Sequence, residues 1–268
     1  MRALIKVGLS LLLLAAVLVA LSYSMLRASG STSAAEGRAA ASESRSIGPG
    51  IRAVALDGPI DLSLRYGATP ALRISGEQRM LGNVEISEAD RVLHIGIRGM
   101  VLRHRQPLEI ELVLPELDTV TVDGSGDSTV NGFAGEQVAI QLNGSGSLRF
   151  NGRYRQVTAG LSGSGDLDVN GGAAMDRVET RLMGSGRITV VGNTRELDAQ
   201  MTGSGNLDAE HLRADEVVLS QTGSGDSAVQ ARSKVRVTLS GSGDVEVHGN
   251  PAERSTSRAG SGSVHYVE

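Results

Sequence analysis

One recurring place in the chain carries most of its candidate chemistry. Asp127, Ser147, Asp166, Arg187, Asn206, Asp226, Asp244 and Ser263 each follow a Gly-Ser-Gly triplet. If successive triplets stack as parallel strands, these residues line one edge at steps of about 4.8 Å. Three chemistries suit such a row. Asp226 and Asp244, on adjacent coils and with Asp166 as a further candidate, could act as a carboxylate dyad, since retaining glycosidases hold their carboxyls about 5–5.5 Å apart. Asn206, Asp226 and Asp244 could offer oxygens to Ca2+, although the spacing differs from the nonapeptide calcium repeat and Arg187 interrupts the row. The third reading is structural, and it is the one favoured here: each Asp caps backbone N–H groups of a solvated corner. His94, His104, His211, His248 and His265 show no ligand spacing, and Arg103-His104-Arg105 reads as a basic surface turn. No nucleophile elbow, metalloprotease motif, phosphate loop or dinucleotide fingerprint occurs. The residues therefore give no catalytic set and no cofactor.

Composition narrows the classes further. The chain has 268 residues, with 26 Lys+Arg, 30 Asp+Glu and a net charge of -4. Its six aromatic residues are Phe133, Phe150, Tyr23, Tyr66, Tyr154 and Tyr266. A mildly acidic chain with so few rings lacks the basic surface and stacking platforms that nucleic acids require. The absence of Cys excludes disulfides, thiolate metal sites, Cys nucleophiles and anchoring through a lipidated Cys. Gly is abundant at 35 residues, and the repeat accounts for it.

Gly-Ser-Gly begins at Gly124, Gly144, Gly163, Gly184, Gly203, Gly223, Gly241 and Gly260, at spacings of 18–21 residues. Two residues before each triplet stand Val122, Leu142, Leu161, Leu182, Met201, Gln221, Leu239 and Arg258. Aliphatic columns recur four and six residues before it, and again four and six residues after its first Gly. Polar residues fill the positions between, which is the alternation of half-buried strands. Several copies turn again, at Asn131-Gly132, Asn151-Gly152, Asn170-Gly171 and His248-Gly249. Identical columns in identical register predict an all-β, single-stranded parallel β-helix of about eight coils of ~19 residues, with the glycines at its corners. It occupies residues 116–268. Residues 51–115 also alternate, without the triplet, and predict five or six strands that lead into the solenoid as an irregular β head.

The N-terminus reads as an address. Arg2 and Lys6 precede an uncharged run from Val7 to Leu26. Residues 1–26 are a signal peptide cleaved after a site such as Ala20-Leu21-Ser22, or an anchor just long enough to span a bilayer. The basic residues place the N-terminus in the cytoplasm and the rest outside. Residues 27–50 are rich in Ala, Ser and Gly and read as a flexible linker.

The strand Pro107 to Leu114, then Pro115-Glu116-Leu117, then Val120-Thr121-Val122-Asp123-Gly124-Ser125-Gly126-Asp127 and the serial Gly-Ser-Gly-Asp copies resemble the head GIN domain family. That family is named for auto-transporter adhesins of bacteria. The resemblance spans about residues 51–268. It implies a right-handed β-helix-like fold and an exported, cell-envelope location, and it brings no catalytic residues. The resulting expectation is an exported, non-enzymatic adhesin-like module, periplasmic, anchored in the inner membrane or on the cell surface. Its partners would be an envelope polymer, another cell or a protein. A polysaccharide hydrolase or lyase using the stacked aspartates is the alternative. In the last copy Arg254, Thr256 and Arg258 replace the aliphatic columns, with Pro251 just upstream. This predicts a polar cap against end-to-end polymerisation.

Overall fold

The computed structural model describes residues 39–99 and 107–267. The apolar run 7–26 and the Arg103-His104-Arg105 turn lie outside them. No helix among the described residues is long and apolar enough to cross a membrane.

The repeat region is a parallel β-solenoid of about 7 turns, because eight corners bound seven intervals. Strand β8 (Thr119–Gly124) leads into it. Strands β9 (Asp127–Gly144), β10 (Ser147–Gly163), β11 (Asp166–Gly184), β12 (Arg187–Gly203), β13 (Asn206–Gly223) and β14 (Ser227–Gly241) each run nearly a full coil. Each lies parallel to the coils on either side. Strands β15 (Val245–His248), β16 (Glu253–Gly260) and β17 (Val264–Val267) complete the series.

The columns set the register. Val157, Ala159 and Leu161 pair with Val178, Thr180 and Leu182. A slip of one residue would turn every aliphatic side chain outward. The column two before the triplet is buried at Val122, Leu142, Leu161, Leu182, Met201 and Leu239. Gln221 also sits in it, buried, and is satisfied locally. Its Nε2 donates to the Gly225 carbonyl, and its Oε1 accepts from Ser227 Oγ at 2.5 Å. Ser227 likewise stands in an apolar column, so the two buried polar side chains satisfy each other.

The corners obey a second constraint. Gly184 has φ +126, and a Cβ there would stand 2.3 Å from the Gly163 carbonyl oxygen. A Cβ on Gly186 would meet Gly165 O at 2.3 Å. Backbone therefore stacks directly on backbone. The N–H groups of Ser185 and Gly186 both donate to Gly163 O, at 2.9 and 3.1 Å. The same forked bond joins the neighbouring corners, from Gly144 O to Ser164 and Gly165 and from Gly184 O to Ser204 and Gly205.

The head continues this stack. Strands β2 (Ala53–Asp57) and β3 (Ile60–Tyr66) pair in parallel with β8 and β9. Their corner, Asp57-Gly58-Pro59, lies under Asp123-Gly124-Ser125, and a Cβ on Gly124 would fall 2.1 Å from Gly58 O. Strands β6 (Val92–Ile97) and β7 (Leu108–Leu114) pair in parallel with the outer side of β2 and β3. The sense then reverses. Strand β5 (Val84–Ala89) is antiparallel to β6, and β4 (Ala71–Glu77) is antiparallel to β7. The short helix α1 (Gln78–Leu81) buries Met80 and Leu81 against the core.

One difference from the sequence expectation falls in residues 27–50. Strand β1 (Ala40–Arg45) forms there, antiparallel to β4. Its composition offers little to bury, and backbone pairing to the β4 edge holds it instead. Ala41 and Ile47 pack on the core, and the Arg45 guanidinium donates to Val84 O at 2.9 Å and Leu81 O at 3.2 Å.

Replacing Gly184 by Ala should destabilise the protein by about 1–3 kcal/mol, from the positive φ and the clash with Gly163 O. A Cβ on Gly50 meets nothing within 4 Å, so Gly50→Ala should stay within about 0.5 kcal/mol of the parent. Urea unfolding checks both, and equal midpoints for the two variants would contradict the stacked-corner account.

Candidate functional site

The structure gathers the sequence-predicted row along the corner edge, with Asp127, Asp166, Asp226 and Asp244 exposed. Most of its side chains reach along the solenoid axis to the next coil. Asp61 Oδ1 accepts the Asp127 N–H at 2.9 Å, and Asp127 Oδ1 accepts Ser147 Oγ at 2.6 Å. Asn206 Oδ1 accepts the Asp226 N–H at 3.1 Å, and Asp226 Oδ1 accepts the Asp244 N–H at 2.9 Å. Asp244 Oδ1 accepts both the N–H and the hydroxyl of Ser263, at 2.9 and 2.5 Å. The Ser263 bonds hold the Asp244 carboxyl below the usual carboxylate range. The capping bonds thus run between coils rather than within one turn. Asn206, Asp226 and Asp244 do fall on successive coils, and Asp166 pairs with Ser147 in the same row. Among the described residues, no group of three or more His, Asp and Glu side chains is placed to hold a metal ion.

A different side of the solenoid carries the irregularity of the repeat. Register shifts fall between Asn151 and Gln156, Gly172 and Met175, Thr189 and Gly192, and Ala209 and Arg213. The triplets stay in register throughout, so the variation in coil length is absorbed on this one side. Here an open groove of about 890 Å³ runs across the coils. Arg155, Arg195, Arg213 and Arg232 line it from β10, β12, β13 and β14, with Asp176 from β11 and Asp215 from β13. Four arginines against two aspartates leave this lining at +2 in a chain of -4.

Ion pairs order part of this lining. Asp176 takes Arg155 Nε at 2.8 Å on one oxygen and Arg195 Nη2 at 2.8 Å on the other. The hydrogen bond from Arg155 holds the Asp176 carboxyl below its usual range and raises the guanidinium. Arg232 approaches Asp215 more loosely, at 3.4 Å. Arg213 makes no ion pair or side-chain hydrogen bond among the described residues. The groove shares Asn193, Arg213 and Gln230 with a second hollow of about 540 Å³ that also holds Glu210, His211 and His248. No Phe, Tyr or Trp side chain lines either one.

Sequence reasoning did not single out these arginines. The signal available was the spacing itself, whose departures from 19 residues are absorbed around the second turn, at 151–156, 170–175, 189–192 and 209–216. Ladders of like residues draw attention to the regular edge, whereas side chains free to vary collect where stacking is loose.

A parallel solenoid with one strict edge and one irregular, charged side defines a class of repeat scaffold, and the sequence places it more closely. Residues 51–251 match the family described as "Putative auto-transporter adhesin, head GIN domain", and the chain belongs to that family. Solved structures share the fold. A protein from Parabacteroides distasonis described as a putative lipid binding protein aligns at 20% identity and TM-score 0.78, covering 85% of this chain and 97% of that one. A putative adhesin from the same species aligns at 23% identity and TM-score 0.76, with 85% and 97% covered. A putative adhesin from Bacteroides fragilis aligns at 19% identity and TM-score 0.66, with 86% and 98% covered. No curated protein matches the chain.

Proposed function

We propose that the chain is an exported, non-enzymatic adhesin-like module of the cell envelope that binds a polymer or surface through its solenoid faces. The observation that carries this reading is the charged groove on the irregular side, whereas the Asn206, Asp226 and Asp244 oxygens of the corner edge are engaged with backbone of the next coil. Family membership and the two adhesin-named structures support it. The basic N-terminus followed by an uncharged run supports export. In cells expressing the full chain, protease added to spheroplasts should degrade it, and envelope preparations should retain the purified protein. Full protection inside spheroplasts would contradict export, and no retention would contradict the binding role. Shortening of an acidic polysaccharide that is lost in an Asp226→Asn, Asp244→Asn variant would replace this reading with a hydrolase or lyase.

The final described coil belongs to the same proposal. Strand β16 stacks in register on β14, so Arg254, Thr256 and Arg258 lie against Val235, Val237 and Leu239. The Arg254 guanidinium stands 4.6 Å from the Tyr266 ring centroid, and Thr256 Oγ1 is 2.9 Å from Tyr266 Oη. Arg258 donates to Gly262 O at 2.9 Å. This polar cover opposes stacking of a second copy on that coil. Arg254→Val with Arg258→Leu should increase self-association in sedimentation velocity. A double variant as monodisperse as its parent over a wide concentration range would rule the cap out.

A further inference from the structure

Resting on the binding role proposed above, we infer that the arginine groove is the ligand site and that its ligand is a linear polysaccharide bearing carboxylates, a polyuronate. The arginines come from coils β10 to β14, four steps apart, so they span about 19 Å along the axis. A row of that length suits an extended chain better than a single small anion. Each guanidinium offers a planar fork that matches a carboxylate with two parallel hydrogen bonds. Arg155 and Arg195 are braced by Asp176 yet remain 58% and 71% exposed, so they present ordered donors to the groove. Arg213 faces it without a partner, ready to pair with an incoming anion.

The acidic and amide residues narrow the class. Asp176 and Asp215 interrupt the arginines, and Asn193 and Gln230 add amide groups. These accept hydrogen bonds from sugar hydroxyls, and the two carboxylates weaken the attraction for a polymer with more than one charge per unit, such as a sulfated glycan. With no aromatic lining, the groove also lacks a platform for stacking bases. A polymer with spaced carboxylates and many hydroxyls satisfies both halves of the lining.

The test is titration of the full chain with polygalacturonate, with dextran and heparin as the neutral and densely charged comparisons. Polygalacturonate should bind, weaken as salt is added, and exceed both comparisons. Arg213→Gln with Arg232→Gln should lower its affinity at least about tenfold at an unchanged thermal midpoint. If the double variant melts early, Arg213→Gln alone serves, because that side chain holds no partner to lose. Equal affinity in variant and parent, no binding by the parent, or stronger binding of heparin or dextran would overturn the inference. Retention on envelope preparations without polygalacturonate binding would sink this ligand and leave the adhesin-like reading standing. Loss of both would sink the two together.

Discussion

At Gly184 a Cβ would stand 2.3 Å from the carbonyl oxygen of Gly163, and the same approach recurs at Gly203, Gly223 and Gly241 over the corner beneath each. This backbone-on-backbone column is the constraint from which the rest of the architecture follows. It admits only glycine, it fixes where each coil turns, and its forked hydrogen bonds tie each corner to the next. Once the corner is fixed, the flanking strands fall in register and the aliphatic columns close. Two glycines per coil cost about 1–2 kcal/mol in chain entropy relative to alanine. The β12 coil alone buries Ile188, Val190, Leu197, Ala199 and Met201, and each larger side chain contributes about 1.5–3 kcal/mol. Burial wins, and the glycines set the geometry in which it does.

That constraint acts on one edge and leaves another side free. The corner edge repeats its glycines with little licence, and Asn206, Asp226 and Asp244 on it bond the next coil's backbone. The side carrying residues 151–156, 170–177 and 209–216 varies in length and gathers the arginines. A scaffold rigid on one side and variable on another can alter its binding groove without disturbing its core.

Much of this is legible in the sequence. The columns at Val157, Leu161, Val178 and Leu182 and the triplet spacing predict parallel in-register stacking, because coils that stack residue on residue keep like side chains in like register. The same spacing puts the Asp row on one edge, where the structure has it. Some features lie beyond the pattern. Asp57-Gly58-Pro59-Ile60-Asp61 stacks as a further coil under Asp123-Gly124-Ser125-Gly126-Asp127, but Pro and Ile in place of Ser and Gly hide it. Strand β1 is held by edge pairing, which leaves no mark in apolar content. The groove assembles side chains from five coils at positions that do not repeat, so periodicity could not reveal it.

Amide hydrogen exchange tests the central claim most directly. If the corners are hydrogen-bonded across coils, the amides of Ser164, Gly165, Ser185, Gly186, Ser204 and Gly205 should be as protected as those of the core strands around them. The amides of the irregular side, near residues 171–176 and 210–215, should exchange sooner. Triplet amides that exchange at the rate of an open loop, while the irregular side stays protected, would contradict the account.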